Sequence, residues 1–372
     1  MRCAHFGACG SCTLDMPYDE QVNFKRELIA REFAPFYGGE FEFFASAPRN
    51  YRTRAEFGIW HEGDEIYYTM HSREKGKKIL VSECPKVCEQ IAEIMPRLLN
   101  GLRASEILRE KLFGAEFISC SSGILVTLLY HKKLDVNYEE AMKILARELG
   151  VTILARSRGQ KILSGELNLI DRLEIGVKIY EFSLSENTFI QPNRAVNEKM
   201  IEWAAGCANL GRENLSADLL ELYCGHGNFT VPLAQKFCRV LATEISKSSI
   251  VNALKNCELN GVKNISFLRM SVDELMRAFA GEREFNRLKE LDLGAFNFTH
   301  ILVDPPRAGL EESVVNFIKN YENIIYISCN PLTLKRDLGA LCETHEAAKF
   351  AVFDQFAHTE HIECGVLLRA RR

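Results

Sequence analysis

From about residue 217 to its end, the sequence alternates short apolar runs with helix-forming segments, and this alternation constrains the fold most. The apolar runs predict β-strands over residues 218–223, 240–243, 265–269, 299–303, 323–328, 350–353 and 365–368. Helical segments separate most of these runs, which predicts a parallel, doubly wound α/β sheet. The last two runs have no helix between them, so we expect them to pair as an antiparallel hairpin in a seven-stranded sheet.

The first half of the chain has a different, mixed α+β pattern. The sequence predicts helices over 17–34 and 135–149 and a helix that begins near Pro85, with strands over 41–46, 53–60, 65–70, 78–82, 115–120 and 124–130. A chain of 372 residues is too long for one ordinary core. We therefore predict two domains, residues 1–180 and residues 181–372.

Composition restricts the function classes only weakly. The chain is 47% hydrophobic and 26% charged, as in an ordinary globular protein. No apolar run approaches the roughly 20 residues that span a bilayer, and residues 1–12 lack a signal-peptide pattern, so we expect no membrane association and a cytoplasmic location. The net charge of −4 does not indicate nucleic-acid binding, but a local basic face can bind phosphate on an acidic protein.

A glycine turn follows the first strand of the predicted sheet, in residues 219–229 (LLELYCGHGNF). Gly225 and Gly227 permit a tight turn that a ligand can approach closely. Glu244 ends the next apolar run, where an acidic side chain can accept hydrogen bonds from ribose hydroxyls. Asn228 replaces the third glycine of a dinucleotide fingerprint. The pattern favours a cofactor site, although an ordinary strand-to-helix turn has the same two glycines.

Three polar segments follow or open strands at one predicted sheet edge. Residues 304–307 (DPPR) follow the fourth strand, residues 328–331 (SCNP) follow the fifth, and residues 363–365 (ECG) open the last. Ligands bind at this edge in open α/β sheets. Each segment alone has a structural explanation, since Cys329 can be a buried thiol, Asp304 a helix cap and Glu363 a solvated strand end.

Taken together, these segments resemble the RNA uracil-5-methyltransferase family. The resemblance runs from about residue 20 to the C-terminus and includes residues 52–57 (RTRAEF), 128–133 (LLYHKK), 186–193 (ENTFIQPN), 283–288 (REFNRL) and 353–356 (FDQF). It implies a class I, Rossmann-like methyltransferase domain that uses S-adenosylmethionine (SAM), preceded by an α+β RNA-binding domain. It also implies that Cys329 is a nucleophile and Glu363 a base, and that SAM is bound by Gln191, Tyr223, Gly225, Asn228, Glu244 and Asp304.

The implied chemistry explains why a thiol and a carboxylate are needed. Uracil C5 is a poor nucleophile until a thiolate adds to C6 and converts the ring to an enolate, a form of covalent catalysis. After C5 has taken the methyl group, a base must remove the C5 proton so that the thiolate can leave.

The thirteen cysteines include a cluster at the N-terminus. Cys3, Cys9 and Cys12 lie close together in sequence, and Cys84 precedes a proline, with Cys88 nearby. This pattern resembles the [4Fe–4S] motif of 23S rRNA uracil-5-methyltransferases, which implies a cluster that ties the N-terminus to the domain. A zinc site and unpaired thiols are the alternatives.

Basic and aromatic residues alternate in the N-terminal half and predict an RNA-binding surface. Arg52, Arg54, Phe113 and His131 are the candidates, because cations neutralise phosphates while rings stack on unpaired bases. A base undergoing chemistry must leave its stack, so a loop is the expected substrate. The resemblance implies uridine 54 in the T-loop of tRNA as the substrate. We expect the protein to be a monomer. Other structured RNA, a 23S rRNA substrate, and an RNA-binding or tRNA-folding role without turnover remain alternatives.

Overall fold

The computed structural model describes residues 3–184, 189–208, 217–289 and 291–371. The resembling segment at 186–193 therefore lies partly outside the described residues. Two large sheets and one two-stranded hairpin carry most of the regular structure. No helix in these ranges is both long and apolar enough to cross a membrane.

The C-terminal sheet confirms the predicted class I methyltransferase fold but contains eight strands rather than seven. Its order is β1-β16-β17-β15-β14-β11-β12-β13, and β17 runs antiparallel to both neighbours, as the predicted hairpin requires. The added strand is β1, which pairs in parallel with the edge strand β16. The strands are β1 (Glu42–Phe44), β11 (Asp218–Leu222), β12 (Val240–Glu244), β13 (Ile265–Arg269), β14 (Phe298–Val303), β15 (Asn323–Ser328), β16 (His345–Phe353) and β17 (Glu363–Ala370).

Helices cover both faces of this sheet, and two apolar cores form against its buried strands. Local signals fix several helix ends: Ser271 and Glu274 form a capping box, and Gly261 ends a helix in the left-handed conformation. The helices are α1 (Tyr18–Phe33), α5 (Arg194–Cys207), α6 (Thr230–Leu233), α7 (Lys247–Asn260), α8 (Val272–Phe279), α9 (Glu312–Ile318) and α10 (Pro331–Leu341).

The N-terminal sheet has the order β4-β3-β2-β5-β6-β7-β8 and packs against three helices around its own core. The helix predicted to begin near Pro85 begins at Glu89 instead, because Cys88 is extended and the Pro85 carbonyl accepts the Asn50 N–H. The elements are β2 (Arg54–Glu62), β3 (Glu65–His71), β4 (Lys78–Leu80), α2 (Glu89–Arg103), α3 (Glu106–Arg109), β5 (Leu112–Cys120), β6 (Gly123–Tyr130), α4 (Val136–Leu149), β7 (Thr152–Ser157) and β8 (Gln160–Leu163). The separate hairpin is β9 (Ile170–Ile175) with β10 (Lys178–Ser183).

Residues 18–44 pack with the C-terminal sheet, although the predicted boundary assigns them to the N-terminal region. Lys25 on α1 contacts Asp354, which follows β16, at 2.6 Å, and neither side chain is exposed. The Tyr18 hydroxyl donates to the other oxygen of Asp354 at 2.6 Å. A buried charge needs such partners, so this network fixes α1 beside the segment that leads to Glu363.

Candidate active site

A cavity of about 330 Å³ lies at the edge of the large sheet where its central parallel strands end. Asp304 follows β14, and Cys329 follows β15. Glu363 opens β17, and because β17 is antiparallel to β15 its start lies at the same edge. The fold thus brings the three predicted polar segments to one cavity, which is also lined by Phe189, Gln191, Glu221, Tyr223, Gly225, Asn228, Ser249 and Arg307.

The glycine turn forms one wall of this cavity. Gly225 and Gly227 have φ values of 56° and 88°, and Tyr223 has φ 63° without being glycine. A bulky residue in the left-handed region is strained, so the surrounding turn must hold Tyr223 in place. A Cβ on Gly227 would lie 3.1 Å from a Val231 methyl. The turn therefore depends on glycine for both conformation and space.

Glu244 lies at the end of β12, as predicted, but its carboxylate faces the turn. One oxygen accepts the Gly225 N–H at 3.1 Å, and the other accepts the Ser246 N–H at 2.7 Å. Glu244 is not one of the described residues that line the cavity. The contact between Glu244 and a ribose stays a prediction. The two backbone hydrogen bonds show that Glu244 fixes the turn.

Two other predicted SAM contacts are held by neighbouring amides. Asn228 and Asn197 exchange side-chain hydrogen bonds of 2.9 Å in both directions, which ties the turn to α5. Gln355 Nε2 donates to Gln191 Oε1 at 3.5 Å. Both predicted residues thus reach the cavity with their orientations restricted.

The electrostatics of the site are dominated by buried carboxyl groups. Burial raises the pKa of Asp304 to about 7, and burial together with the nearby Asp304 charge raises the pKa of Glu363 to about 8. Burial, with Glu363 and Asp304 adding repulsion, also raises the pKa of the half-buried Cys329 thiol, while Arg307 acts in the opposite direction. The cavity therefore favours protonated acids and disfavours additional negative charge.

Glu221 on β11 is a cavity residue that the sequence reasoning missed. It is 1% exposed, and burial, followed by repulsion from Asp304, raises its pKa to about 8. The signal was a charged residue between the leucines of the strand, since charged side chains are rarely buried without a role or a partner.

A second cavity of about 650 Å³ shares Cys329, Glu363, Gln191, Phe189 and Arg307 with the first. We call it the basic cleft, because its lining brings together the cations Arg52, Arg54, Lys86 and Arg307. Two of these were predicted RNA contacts. Arg52 Nε donates to the Arg54 carbonyl at 2.7 Å, and Arg54 pairs with Glu56 at 3.0 Å.

Phe113 and His131 do not line the basic cleft. Their rings stack at 3.9 Å with an interplanar angle of 13°, beside a third cavity of about 740 Å³ on the N-terminal sheet. Lys132, Lys133 and Arg158 share that lining. The four predicted RNA residues thus form two separate basic and aromatic areas.

The four predicted cysteine ligands, Cys3, Cys9, Cys12 and Cys84, line one small cavity of about 20 Å³. Within the described ranges, no group of three or more His, Cys, Asp or Glu side chains is arranged to hold a metal ion. Each thiolate of a [4Fe–4S] cluster binds a different iron, so the thiols need not converge as they do on one zinc ion. Four thiols are the ligands that such a cluster needs, but the space between them would have to widen, and the cluster stays a prediction.

Comparisons with known proteins identify the family of the chain. Residues 17–371 match the model of the family described as tRNA (Uracil-5-)-methyltransferase. The chain is 68% identical over 372 residues to a "tRNA/tmRNA (uracil-C(5))-methyltransferase" of Campylobacter concisus, covering 100% of both chains, and 48% identical over 374 residues to one of a Sulfurovum species, again covering 100% of both.

A solved structure shares the fold. It is the Pyrococcus abyssi tRNA (uracil-54, C5)-methyltransferase in complex with S-adenosyl-L-homocysteine, with a TM-score of 0.74 and 21% identity, covering 97% of this chain and 86% of that one. The fold, the extent of the family match and the high identity to full-length relatives lead to one conclusion: the chain belongs to the tRNA (uracil-5-)-methyltransferase family.

Proposed function

We propose that this protein methylates C5 of a uridine in tRNA, most specifically uridine 54 of the T-loop, with SAM as methyl donor and Cys329 as covalent nucleophile. The observation that carries the proposal is that Cys329 and Glu363 lie at the boundary between two cavities. A base presented from the basic cleft would meet both side chains and face the cofactor cavity. The curated relatives named above act on tRNA or tmRNA, which supports this substrate class.

The cofactor cavity has the chemistry that SAM requires. SAM carries positive charge on its sulfonium and amino groups, and Asp304, Glu221 and Glu363 provide an acidic lining. When bound, SAM supplies the electrophilic methyl carbon that C5 of the activated uracil attacks. Tyr223, Asn228 and Asp304 would hold it within the cavity, and Glu244 would support the Gly225 turn from behind.

Cys329 begins the reaction by forming a bond from sulfur to uracil C6. Burial first, and then repulsion from Glu363 and Asp304, raises the thiol pKa. The thiol must therefore release its proton to solvent before the sulfur bonds to C6 and the C5–C6 π electrons move into the enolate. Arg307 lines both cavities and is positioned to offset the negative charge that develops on the thiolate and then on the enolate. When the bound RNA base excludes water from this boundary, the repulsion from the carboxyls and the attraction to Arg307 both become stronger.

Glu363 completes the reaction as the base that takes the C5 proton. Removal of that proton re-forms the C5–C6 double bond, and the bond between C6 and the Cys329 sulfur breaks as the thiolate leaves. A base works best when its pKa lies near the working pH, and the pKa of about 8 meets that condition. The proton then passes from Glu363 to solvent.

Cys329→Ala tests the assignment most directly. We expect no 5-methyluridine in tRNA from a deletion strain carrying this variant, as measured by nucleoside mass spectrometry, while SAM affinity by calorimetry stays close to that of the wild type. Cys238→Ala is the matched control, because Cys238 is an exposed thiol outside both cavities. Normal methylation by Cys329→Ala would contradict the covalent mechanism.

The same experiment separates tRNA from the alternative rRNA substrate, which the cysteine pattern favours. Restored 5-methyluridine in 23S rRNA but not in tRNA would support the alternative. No methylation of either RNA by the wild type, together with tight RNA binding, would support a folding role without turnover.

We also propose that Cys3, Cys9, Cys12 and Cys84 hold a [4Fe–4S] cluster, supported by their placement around one cavity. Protein purified without oxygen should then be brown and contain about four irons per chain. Cys88→Ala, at a neighbouring buried thiol outside the set, should retain the iron that Cys84→Ala loses. Colourless protein with one zinc per chain would support the alternative site.

A further inference from the structure

A short N-terminal segment forms one wall of the basic cleft. Gly10, Ser11 and Thr13 line the cleft together with Arg52, Lys86 and the catalytic pair. The family match begins only at residue 17, so this wall is an addition to the part of the chain that the family model covers. We call residues 9–13 the N-terminal strap.

The strap is fixed at both ends to different parts of the molecule. On one side, Gly10 N–H donates to the His71 carbonyl at 2.9 Å, and Arg73 donates to the Cys12 carbonyl at 2.7 Å. On the other side, Thr13 N–H donates to the His358 carbonyl at 2.9 Å. The strap therefore joins the end of β3 to the loop that leads into Glu363, and three of its residues line the cleft.

Lys86 holds the middle of the strap. Its Nζ donates to the Ser11 carbonyl at 2.7 Å and to the Ser11 hydroxyl at 2.8 Å, and the residue is only 2% exposed. A buried ammonium is costly unless acceptors replace its water, so these bonds fix the lysine and the strap together. The Lys86 backbone carbonyl also accepts the Arg52 N–H at 2.8 Å, which links the strap to a predicted RNA contact.

We propose that the N-terminal strap is an additional RNA-contact wall that holds the sugar-phosphate strand beside the target uridine, and that Lys86 is the positioning residue for it. The proposal rests on the proposed function. Charge decides the occupant: the cations Arg52, Arg54 and Arg307 outnumber the carboxyl groups of Glu56 and Glu363 in the cleft lining. Lys86 adds a further cation, buried against Ser11, so the lining suits a polyanion. Thr13 is exposed and lies on the cleft side of the strap.

Opposite charges at Thr13 test the contact. Thr13→Lys should tighten binding of substrate tRNA severalfold and steepen the salt dependence of its Kd by about one unit of log-log slope, as one more phosphate contact does. Thr13→Glu should weaken binding to a similar degree. Val177→Lys and Val177→Glu are the matched controls, because Val177 is fully exposed in the β9–β10 turn and lines none of the three large cavities. SAM affinity and metal content are measured on every variant.

Equal effects at Thr13 and Val177 would overturn the proposal, since they would reflect net charge alone. A wild-type protein that fails to methylate tRNA would instead overturn the proposed function, so the two failures are distinguishable.

Lys86→Met tests the positioning role. We expect KM for tRNA to rise severalfold and to change more than kcat, with unchanged SAM affinity, and Lys86→Arg to recover part of the loss. A parallel fall in SAM affinity and thermal stability, with no selective change in KM for tRNA, would show that Lys86 supports only the fold.

Discussion

The side chains around Cys329 oppose the ionisation that its chemistry needs. Three carboxyl groups in the same cavity have raised pKa values, namely those of Asp304, Glu221 and Glu363. Near neutral pH the carboxyls hold much of their proton, which lowers the repulsion that a Cys329 thiolate would meet. The first and last steps therefore make opposite demands, because sulfur attack favours neutral acids whereas C5 deprotonation needs an ionised Glu363.

Glu363→Gln separates these two demands. Glutamine keeps the size of the side chain but cannot accept the C5 proton, so attack and methyl transfer proceed while release of the cysteine does not. We expect methylated RNA to remain attached at Cys329 after incubation with SAM and tRNA, as seen by a shifted band on a denaturing gel. The band should disappear in Glu363→Gln/Cys329→Ala. Release of free methylated tRNA at the wild-type rate would argue that another group is the base.

pH profiles supply a second residue-scale prediction. In single-turnover reactions, release of the methylated product should speed up as pH rises through about 8, because Glu363 becomes a carboxylate in that range. The signature is a slow phase at pH 6.5 that vanishes by pH 9. A release rate independent of pH would exclude Glu363 as the group that limits this step.

Among the elements, the strands of the large sheet were the most predictable part. Apolar runs identified β11 to β17, and the predicted segments 265–269 and 323–328 coincide with β13 and β15. The partner of β1 could not be predicted, because β1 pairs with β16 near the other end of the chain and no local sequence pattern specifies that pairing. Sequence spacing likewise could not separate Phe113 and His131 from Arg52 and Arg54 into two cavities.

Substitutions of Glu244 test whether the Gly225 turn supports SAM binding. Glu244→Ala removes the acceptor for two backbone N–H groups, so SAM affinity should fall by roughly 1–3 kcal/mol even without a direct ribose contact. Glu244→Gln should recover part of the loss, since its amide oxygen can still accept one N–H. Calorimetry that gives the wild-type SAM Kd for Glu244→Ala would contradict both roles.

For the whole molecule, the buried titratable groups link function to stability. Carboxyls with raised pKa values favour the folded state at low pH, and this contribution is lost as pH rises towards about 8, because the unfolded chain has already released those protons. His226 and His300 act in the opposite direction at lower pH, since burial depresses their pKa values to about 4. Stability should therefore decline between about pH 6.5, where the histidines of the unfolded chain lose their protons, and about pH 8, where the folded-state carboxyls have lost theirs.

Glu363→Gln should accordingly be more stable than the wild type at pH 8.5 and nearly equal to it at pH 5. Above the folded-state pKa the wild type holds a buried carboxylate near Asp304, and the variant holds a neutral amide. We expect the free energy of unfolding to increase by at least about 1 kcal/mol at pH 8.5. A pKa change of one unit is worth more than this, and the Glu363 pKa is raised by more than one unit. Denaturant unfolding at both pH values measures it, with Glu62→Gln as the control because Glu62 is exposed. If the two variants behave alike, the Glu363 carboxyl does not carry the raised pKa, and the structural reason for its strength as a base is lost.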